Sequence, residues 1–283
     1  MTTASRRVVE GPALGKHAFA LSLLDCMPSL LLDRLLFRPT AICLQLQKAV
    51  QRLLGGPSSV LVQFKEGPLR DELFECFTSE KYFLLGTNFE HPTQVLLQGL
   101  VKPGDIVYDV GAHAGYMTLL LSALCEPGGH VFAFEPSPIN FSRLKRNMEL
   151  NKASHPTLVN RAVSDHEGFA FLAETGTACR LVDECTRPAA EYSRVLTIRL
   201  DDFVYRNGYP SPKIFKIDVE GHAGSCLRGA QVILQKERPS LICEIHHRGE
   251  FESIRQALAP HTYRIAEVES ILRFPRHIVA TPV

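Results

Sequence analysis

An excess of charge of either sign is the first thing this sequence lacks. Its 31 Lys and Arg stand against 30 Asp and Glu, for a formal net charge of +1. No basic stripe emerges either, so nothing in the charge pattern invites nucleic acid. CxxC spacing is also missing: the eight cysteines are scattered, several of them inside apolar runs where cysteine acts as a small hydrophobe. That pattern excludes a zinc site of the usual spacing and implies a reducing compartment, hence a cytoplasmic location. No uncharged apolar run is long enough to span a bilayer. The best candidate, AFALSLLDCMPSLLLDRLLF, is interrupted by Asp25, Pro28 and Asp33. The opening MTTASRR is basic, but no uninterrupted apolar stretch with a small-residue cleavage site follows. Internal repeats and low-complexity segments are absent. What is present is 45 % apolar residues in 283, enough for one large domain or a domain with an extension.

The pattern along the chain changes near residue 100. Leu21 to Leu54 is leucine-rich with helical spacing, and Leu23, Leu24, Met27, Leu30 and Leu31 share one face. Pro28 kinks or splits that helix, and GGPSS, Gly55 to Ser59, breaks it. An accessory helix packed on the domain is the preferred reading, with a membrane-surface or partner-binding helix as the alternative. The expected division is an N-terminal helical extension over 1–75 and a catalytic domain over 76–283. After residue 100, apolar strands alternate with helices: DIVYDVG, HVFAFEPS, PTLVNRAV, KIFKIDVEG, PSLICEIHH and TYRIAEV are strands, and ILRFP is a further candidate. Between them, YMTLLLSALCE, PINFSRLKRNMELN, SCLRGAQVILQK and FESIRQALA are helices, while GFAFLAE and RVLTIRLDDF form a less regular β excursion. Near-continuous apolar strands separated by helices predict an α/β fold, a mostly parallel sheet covered on both faces.

Ligands in such a sheet sit beyond the carboxyl ends of the strands. The first strand runs into DVGAHAG, Asp109 to Gly115, which is D-x-G-x-x-x-G and lacks the G-x-G-x-x-G of dinucleotide sites. A nicotinamide dehydrogenase is disfavoured on that ground. Gly111 and Gly115 allow close backbone approach. Asp109 places a negative charge at the strand end, which repels a diphosphate and suits a cationic ligand. The second strand ends at Glu135, where a carboxylate can accept both hydroxyls of a ribose; the same residue also reads as a helix cap before Pro136. A ribonucleoside with a positive tail, S-adenosylmethionine, fits this set. Asp165, ending the third strand, is placed to meet the adenine amino group, or is a turn aspartate ahead of Gly168.

The blocks LVKPGDIVYDVGAHAGYMTLL, VFAFEPSPINFSRLKRNMELN, LVNRAVSDHEG, LTIRLDDF, FKIDVEGHAGSCLRGA and LICEIH resemble, in that order, the FkbM-type methyltransferases, from about Phe83 to Ile265. The resemblance implies a class I (Rossmann-like) S-adenosylmethionine-dependent fold and methyl transfer, usually to oxygen on a sugar or natural-product hydroxyl. It also implies that Glu90, in NFEHPT, covers the cofactor; by itself that residue reads as an acid at a helix start before Pro92. Two departures stand out. His113 replaces a frequent asparagine but still offers a hydrogen bond, and Ala223 replaces an acid after the I-D-V-E-G-H motif.

Methyl transfer to a hydroxyl needs alignment of the acceptor and a base for its proton. The strand KIFKID lies beside the first strand in the usual sheet of this fold. Asp218, Glu220 and His222 then gather with Glu244 and His246 from CEIHH at neighbouring strand ends. His222, freed by Gly221, is the expected general base; Asp218 orients cofactor or acceptor, and Glu244 raises the basicity of His222 or binds sugar hydroxyls. His246 and His247 read equally as a solvated strand terminus. Asp218, Glu244 and His246 are acceptable metal ligands, but nothing in their spacing requires a metal, and the metal-free reading is preferred. The alternative to an enzyme is a non-catalytic S-adenosylmethionine-binding protein acting through its N-terminal helices, a reading motivated by Ala223. The segment from about Ala173 to Arg194, expected to carry acceptor specificity, shows no recognisable signal, and the sequence leaves a homo-oligomer open.

Overall fold

The computed structural model describes residues 6–10, 59–77, 80, 89–151, 156–175, 178–182, 192–268 and 275–283. They belong to two compact units, Met1–Gln94 with Arg146–Lys152, and Val95–Lys145 with Ala153–Val283. The leucine-rich run expected to be helical lies outside the described residues. The described residues ahead of residue 76 include strands. β1 (Arg6–Glu10), β2 (Ser59–Phe64) and β3 (Leu73–Phe77) make a three-stranded antiparallel sheet, and β3 runs through the expected 75/76 boundary. Val60, Val62, Phe64, Phe74 and Cys76 alternate inward along β2 and β3. The free edge of β3 is closed by asparagine side chains. Asn151 exchanges hydrogen bonds with the backbone of Leu73 (2.7 and 2.8 Å), and Asn147 does the same with Glu75 (2.7 and 3.2 Å). Four residues apart on a helix, the two amides lie one above the other, close to the repeat of a strand's alternate residues.

α1 (His91–Leu100) is followed by β4 (Ile106–Val110), α2 (Tyr116–Cys125), β5 (His130–Phe134), α3 (Pro138–Leu150) and β6 (Thr157–Val159). An excursion follows: β7 (Ala162–Val163), β8 (Gly168–Thr175), β9 (Ala178–Val182) and β10 (Tyr192–Ile198) form a separate four-stranded sheet in the order β7-β10-β8-β9. A π-helical turn, Asp202–Arg206, leads to β11 (Ile214–Ile217), α4 (Ala223–Arg228), α5 (Gln231–Lys236), β12 (Ser240–Ile245), α6 (Arg248–Leu258), β13 (Tyr263–Glu267) and β14 (Arg276–Pro282). The main sheet has seven strands in the order β13-β14-β12-β11-β4-β5-β6. Its four pairings from β12 to β6 are parallel, and only β14 runs against its neighbours. Strand order reverses between β4 and β11, which opens a crevice at their carboxyl ends.

Two expectations change. PTLVNRAV is not one strand: the Asn160 amide donates to the carbonyls of Glu135 and Pro136, and the chain leaves the main sheet there, so that β7 pairs with β10. The SCLRGAQVILQK helix is two helices. At Gly229 an added Cβ would stand 3.0 Å from the Ser164 carbonyl carbon, and the Asp201 carboxylate caps the restart by accepting from Val232 N and Ile233 N at 3.0 Å each. The last strand is RHIVATP, and the ILRFP candidate lies, but for Pro275, outside the described residues.

Beneath the crevice lies an aromatic core in which Tyr108 packs against Phe132, Phe134, Phe203 and Phe215. The Tyr108 hydroxyl reaches the Pro210 carbonyl at 2.7 Å, so this buried ring carries no orphaned polar group. Such a core fixes the ends of β4, β5 and β11 relative to one another.

Candidate active site

The loop after β4 is held by both neighbouring strands. Gly111 N and Ala112 N donate to the Phe134 carbonyl at 3.0 Å, and Asp218 N donates to the Val110 carbonyl at 2.9 Å. The loop takes left-handed backbone at Gly111 (φ 85°), His113 (φ 51°) and Gly115 (φ 94°). Asparagine, aspartate and histidine are enriched in that region among non-glycine residues, which suits His113 to its place. It is the backbone N–H of His113 that does the binding here, donating to Glu135 Oε2 at 2.8 Å.

Glu135 is nearly fully buried at the end of β5, and its other oxygen accepts from Ser137 N at 2.9 Å. It therefore does cap the turn before α3, as one reading held, but from the interior rather than the surface. Burial pushes its carboxyl up to about 7 against the opposing pull of the Ser137 and His113 N–H groups. Each oxygen already accepting one N–H keeps a second lone pair for a hydroxyl. A ribose diol fits that acceptor pair, and a phosphate does not.

Asp109 is fully buried. Its charge, expected to face a cationic ligand, is matched inside the protein: Lys216 Nζ lies 3.2 Å from Oδ1, and Thr118 donates to Oδ2 at 2.6 Å. Lys216 also donates to the Gly111 carbonyl at 3.2 Å and stands 3.7 Å from Asp218 Oδ2. Sequence reasoning missed this lysine, although a charge in the middle of the apolar IFKI was a visible signal.

β11 stops at Ile217, and Val219 to His222 form a turn closed by His222 N donating to the Val219 carbonyl at 3.2 Å. Both central residues have positive φ, Glu220 at 49° and Gly221 at 99°, the signature of a type I′ turn. This turn swings the Asp218 and Glu220 carboxylates toward His246, each 3.5 Å from its Nε2. Glu244 Oε1 joins them at 3.7 Å, on the same face of β12 as alternation requires. His222 ends elsewhere: its Nε2 is 3.2 Å from Ser164 Oγ, and it opens α4. Among the described contacts, the histidines beside Glu244 are His246 and His277 (3.5 Å).

Glu250, missed in the sequence, organises this cluster from α6. Its side chain is fully buried; Oε2 accepts from His246 N at 2.8 Å and lies 3.4 Å from His246 Nδ1, while Oε1 lies 3.3 Å from Ala223 N. Burial alone would lower the His246 imidazole, but the Glu250 contact and the charges of Asp218, Glu220 and Glu244 outweigh it and raise it to about 9. Burial raises the Asp218 carboxyl despite Lys216 beside it. Burial would raise Glu244 as well, and there the His277 contact wins and lowers it.

Asp165 follows β7 and so does not stand at an end of the main sheet. It pairs with Arg228 at 3.0 Å and His166 at 3.1 Å, partners that outweigh burial and lower its carboxyl. Glu90 lies in the first unit, immediately ahead of α1, with φ 48° and its carbonyl accepting from Gln94 N. No described helix is long and apolar enough to cross a membrane.

The raised Glu135 has a measurable consequence. Its folded value lies above the ordinary 4.5, so the ionised form is penalised in the folded state and this group's contribution to stability falls as pH rises from about 4.5 to 7. Hydroxyls that donate to Glu135 need the ionised form. Cofactor affinity should therefore weaken as pH is lowered from 8 to 6, by up to about tenfold per unit below the titration. Calorimetry across that range reads it, and a flat profile would separate Glu135 from the ribose.

Residues 109–265 match the methyltransferase FkbM domain. The hexuronic acid methyltransferase AglP of Haloferax volcanii is 31 % identical over 156 residues, covering 53 % of this chain and 60 % of that protein. The 31-O-demethyl-FK506 methyltransferase FkbM of Streptomyces tacrolimicus is 41 % identical over 68 residues, 24 % of this chain and 25 % of its own length. The chain thus spans less than two thirds of either relative. Among solved structures, the FkbM methyltransferase of Methylobacillus flagellatus KT aligns over 89 % of this chain and 57 % of its own, at 16 % identity and a TM-score of 0.46. With more than half of its residues in the matched domain, the chain belongs to the FkbM methyltransferase family, a class I fold whose methyl donor is S-adenosylmethionine.

Proposed function

We propose that this protein methylates a hydroxyl oxygen of a sugar-like or polyhydroxy small molecule. The observation that carries this reading is the convergence of Asp218, Glu220 and Glu244 on His246 Nε2, at the end of the strand next to the glycine loop. A row of carboxylates is suited to accept hydrogen bonds from several hydroxyls of one acceptor. The names of the two relatives, which refer to a hexuronic acid and to a demethylated oxygen, support an acceptor of this class.

Bound S-adenosylmethionine supplies an electrophilic methyl group on a sulfonium. The residues here do the rest. The loop from Gly111 to Gly115 and Glu135 hold the nucleoside, with His113 as a further cofactor contact. Asp109, through Lys216, keeps the loop and Asp218 in register. Asp218 and Glu244 orient the acceptor oxygen for in-line attack at about 3–3.5 Å. The hydroxyl proton leaves through the carboxylate cluster; His222, engaged with Ser164, supports the turn that presents Asp218 and Glu220.

Ala223 motivated a non-catalytic reading, and Glu250 weakens that motive. Its carboxylate lies 3.3 Å from Ala223 N, so negative charge reaches this spot from α6 although position 223 carries none.

The test is transfer from labelled S-adenosylmethionine to a panel of uronic acid glycosides and other polyhydroxy compounds. Asp218→Asn should lower kcat at least ~100-fold while cofactor affinity stays within ~3-fold, the pattern of a group acting on the acceptor. His222→Ala should lose under ~10-fold. A larger loss there, with cofactor binding intact, would return the base to His222. Tight cofactor binding with no turnover on any hydroxyl would favour the non-catalytic protein.

A further inference from the structure

We propose that Asp218, Glu244 and His246 form a binding site for one divalent transition-metal cation of the Mn²⁺ class. One donor atom from each residue falls within 4.8 Å of the others. His246 Nε2 stands 3.5 Å from Asp218 Oδ1 and 3.7 Å from Glu244 Oε1. These separations are too long for good hydrogen bonds. They lie close to the edge of a coordination shell, where ligands at about 2.0–2.2 Å from one cation sit about 3–3.5 Å apart. Small side-chain shifts close the difference.

Each ligand is also held from behind by a second group. The Glu250 carboxylate, fully buried, faces His246 Nδ1 at 3.4 Å and takes the backbone N–H of His246 at 2.8 Å. With Nδ1–H donated to Glu250, a cation that displaces the Nε2 proton would meet a lone pair aimed into the carboxylates, the arrangement of a carboxylate–histidine–metal relay. The other oxygen of Glu244 faces His277, and the other oxygen of Asp218 faces Lys216. Anchoring of the far atom of every ligand, by residues from β11, β14 and α6, is independent of the contacts inside the cluster.

Charge points the same way. Asp109, Asp218, Glu220, Glu244 and Glu250 face Lys216, His246 and His277 among the described contacts. Five carboxylates against three cationic groups leave negative charge over even with both imidazoles protonated. Lys216 is shared between Asp109 (3.2 Å) and Asp218 (3.7 Å), so it offsets the ligands only in part. A divalent cation neutralises the excess. Two carboxylates with one imidazole favour Mn²⁺ and its neighbours over Mg²⁺, whose preferred ligands are all oxygen.

Its use rests on the proposed function. With three protein ligands, a six-coordinate ion keeps positions for two neighbouring oxygens of a polyhydroxy acceptor. Coordination acidifies the attacking hydroxyl. Its proton passes by way of Glu220 to solvent, the oxygen bonds to the methyl carbon, and the carbon–sulfur bond breaks with its electron pair left on sulfur. The sulfonium becomes a neutral thioether.

The experiment titrates Mn²⁺ into the full chain, stripped with chelator and without acceptor, and follows it by electron paramagnetic resonance. One ion per chain should bind, with ¹⁴N modulation of its echo signal from the imidazole. His246→Gln should abolish the modulation and weaken binding at least ~10-fold, and Glu244→Gln, which keeps the side-chain shape, should weaken it similarly; circular dichroism confirms that both variants fold. Absence of saturable binding by folded protein up to millimolar Mn²⁺ overturns the proposal, as does binding that both variants leave unchanged. Methyl transfer is assayed separately with and without chelator. Turnover that chelator leaves intact defeats the metal's role but not the methyltransferase reading, whereas Mn²⁺ binding without turnover does the reverse.

Discussion

Gly111→Ala is expected to cost the protein both its cofactor site and much of its stability. A methyl group at position 111 would overlap the backbone oxygen of Asp218, stand 2.8 Å from its carbonyl carbon and meet the Val219 side chain at 3.3 Å. The first two obstacles are backbone, so no rotamer change relieves them. Residue 111 also has φ +85°, which costs an alanine about 1–2 kcal/mol before any overlap. Overpacking adds about 1–3 kcal/mol. At about 2–4 °C per kcal/mol for a chain of this size, the melting temperature should fall by roughly 10 °C. The ends of β4 and β11 must part, which displaces the loop and Asp218 together. Affinity for S-adenosylmethionine should drop at least ~100-fold in calorimetry on the folded fraction. Gly115→Ala is the informative control, since it also has positive φ: if both variants behave alike, strain alone is responsible and the contact with Asp218 does not matter.

Lys216→Met should have an effect of similar size for an electrostatic reason. The lysine is almost fully buried, and its ammonium is 3.2 Å from Asp109, whose side chain has no exposure to water. Removing it leaves a buried carboxylate with only Thr118 donating to it among the described contacts. Breaking one half of a buried pair costs about 3–5 kcal/mol. The double variant Asp109→Asn, Lys216→Met should recover a large part of that loss, because the uncompensated charge is gone. Chemical denaturation of the two single variants and the double variant measures the coupling. Additive losses would mean that the pair is not coupled and that Lys216 acts through the Gly111 carbonyl alone. Methyl transfer should remain poor in the double variant, because the link from the loop to Asp218 is not restored.

Much of the fold was legible because its signals are local. Near-continuous apolar runs such as IVYDV and HVFAF report strands buried on both faces, and each is buried as expected. Glycines at 111 and 115 marked the loop, and Glu135 directly follows β5. The breaks were not legible. Asn160 ends a strand by bonding to carbonyls 24 and 25 residues away, and Gly229 splits a helix because the Ser164 carbonyl lies against it. The Asn147 and Asn151 pair that closes the β3 edge reads, in sequence, as two ordinary polar positions on a helix.

The candidate site divides the same way. Sequence alone determined that Asp218, Glu220, Glu244 and His246 belong to strand ends facing one crevice, since alternation and a glycine turn are properties of a few consecutive residues. Only the tertiary structure decided which histidine meets the carboxylates. That choice depends on the positive φ of Glu220 and Gly221, which turns His222 toward Ser164. It depends equally on Glu250, which holds His246 from a different element. Orientation of a side chain is set by whatever packs behind it, and here those groups come from distant parts of the chain.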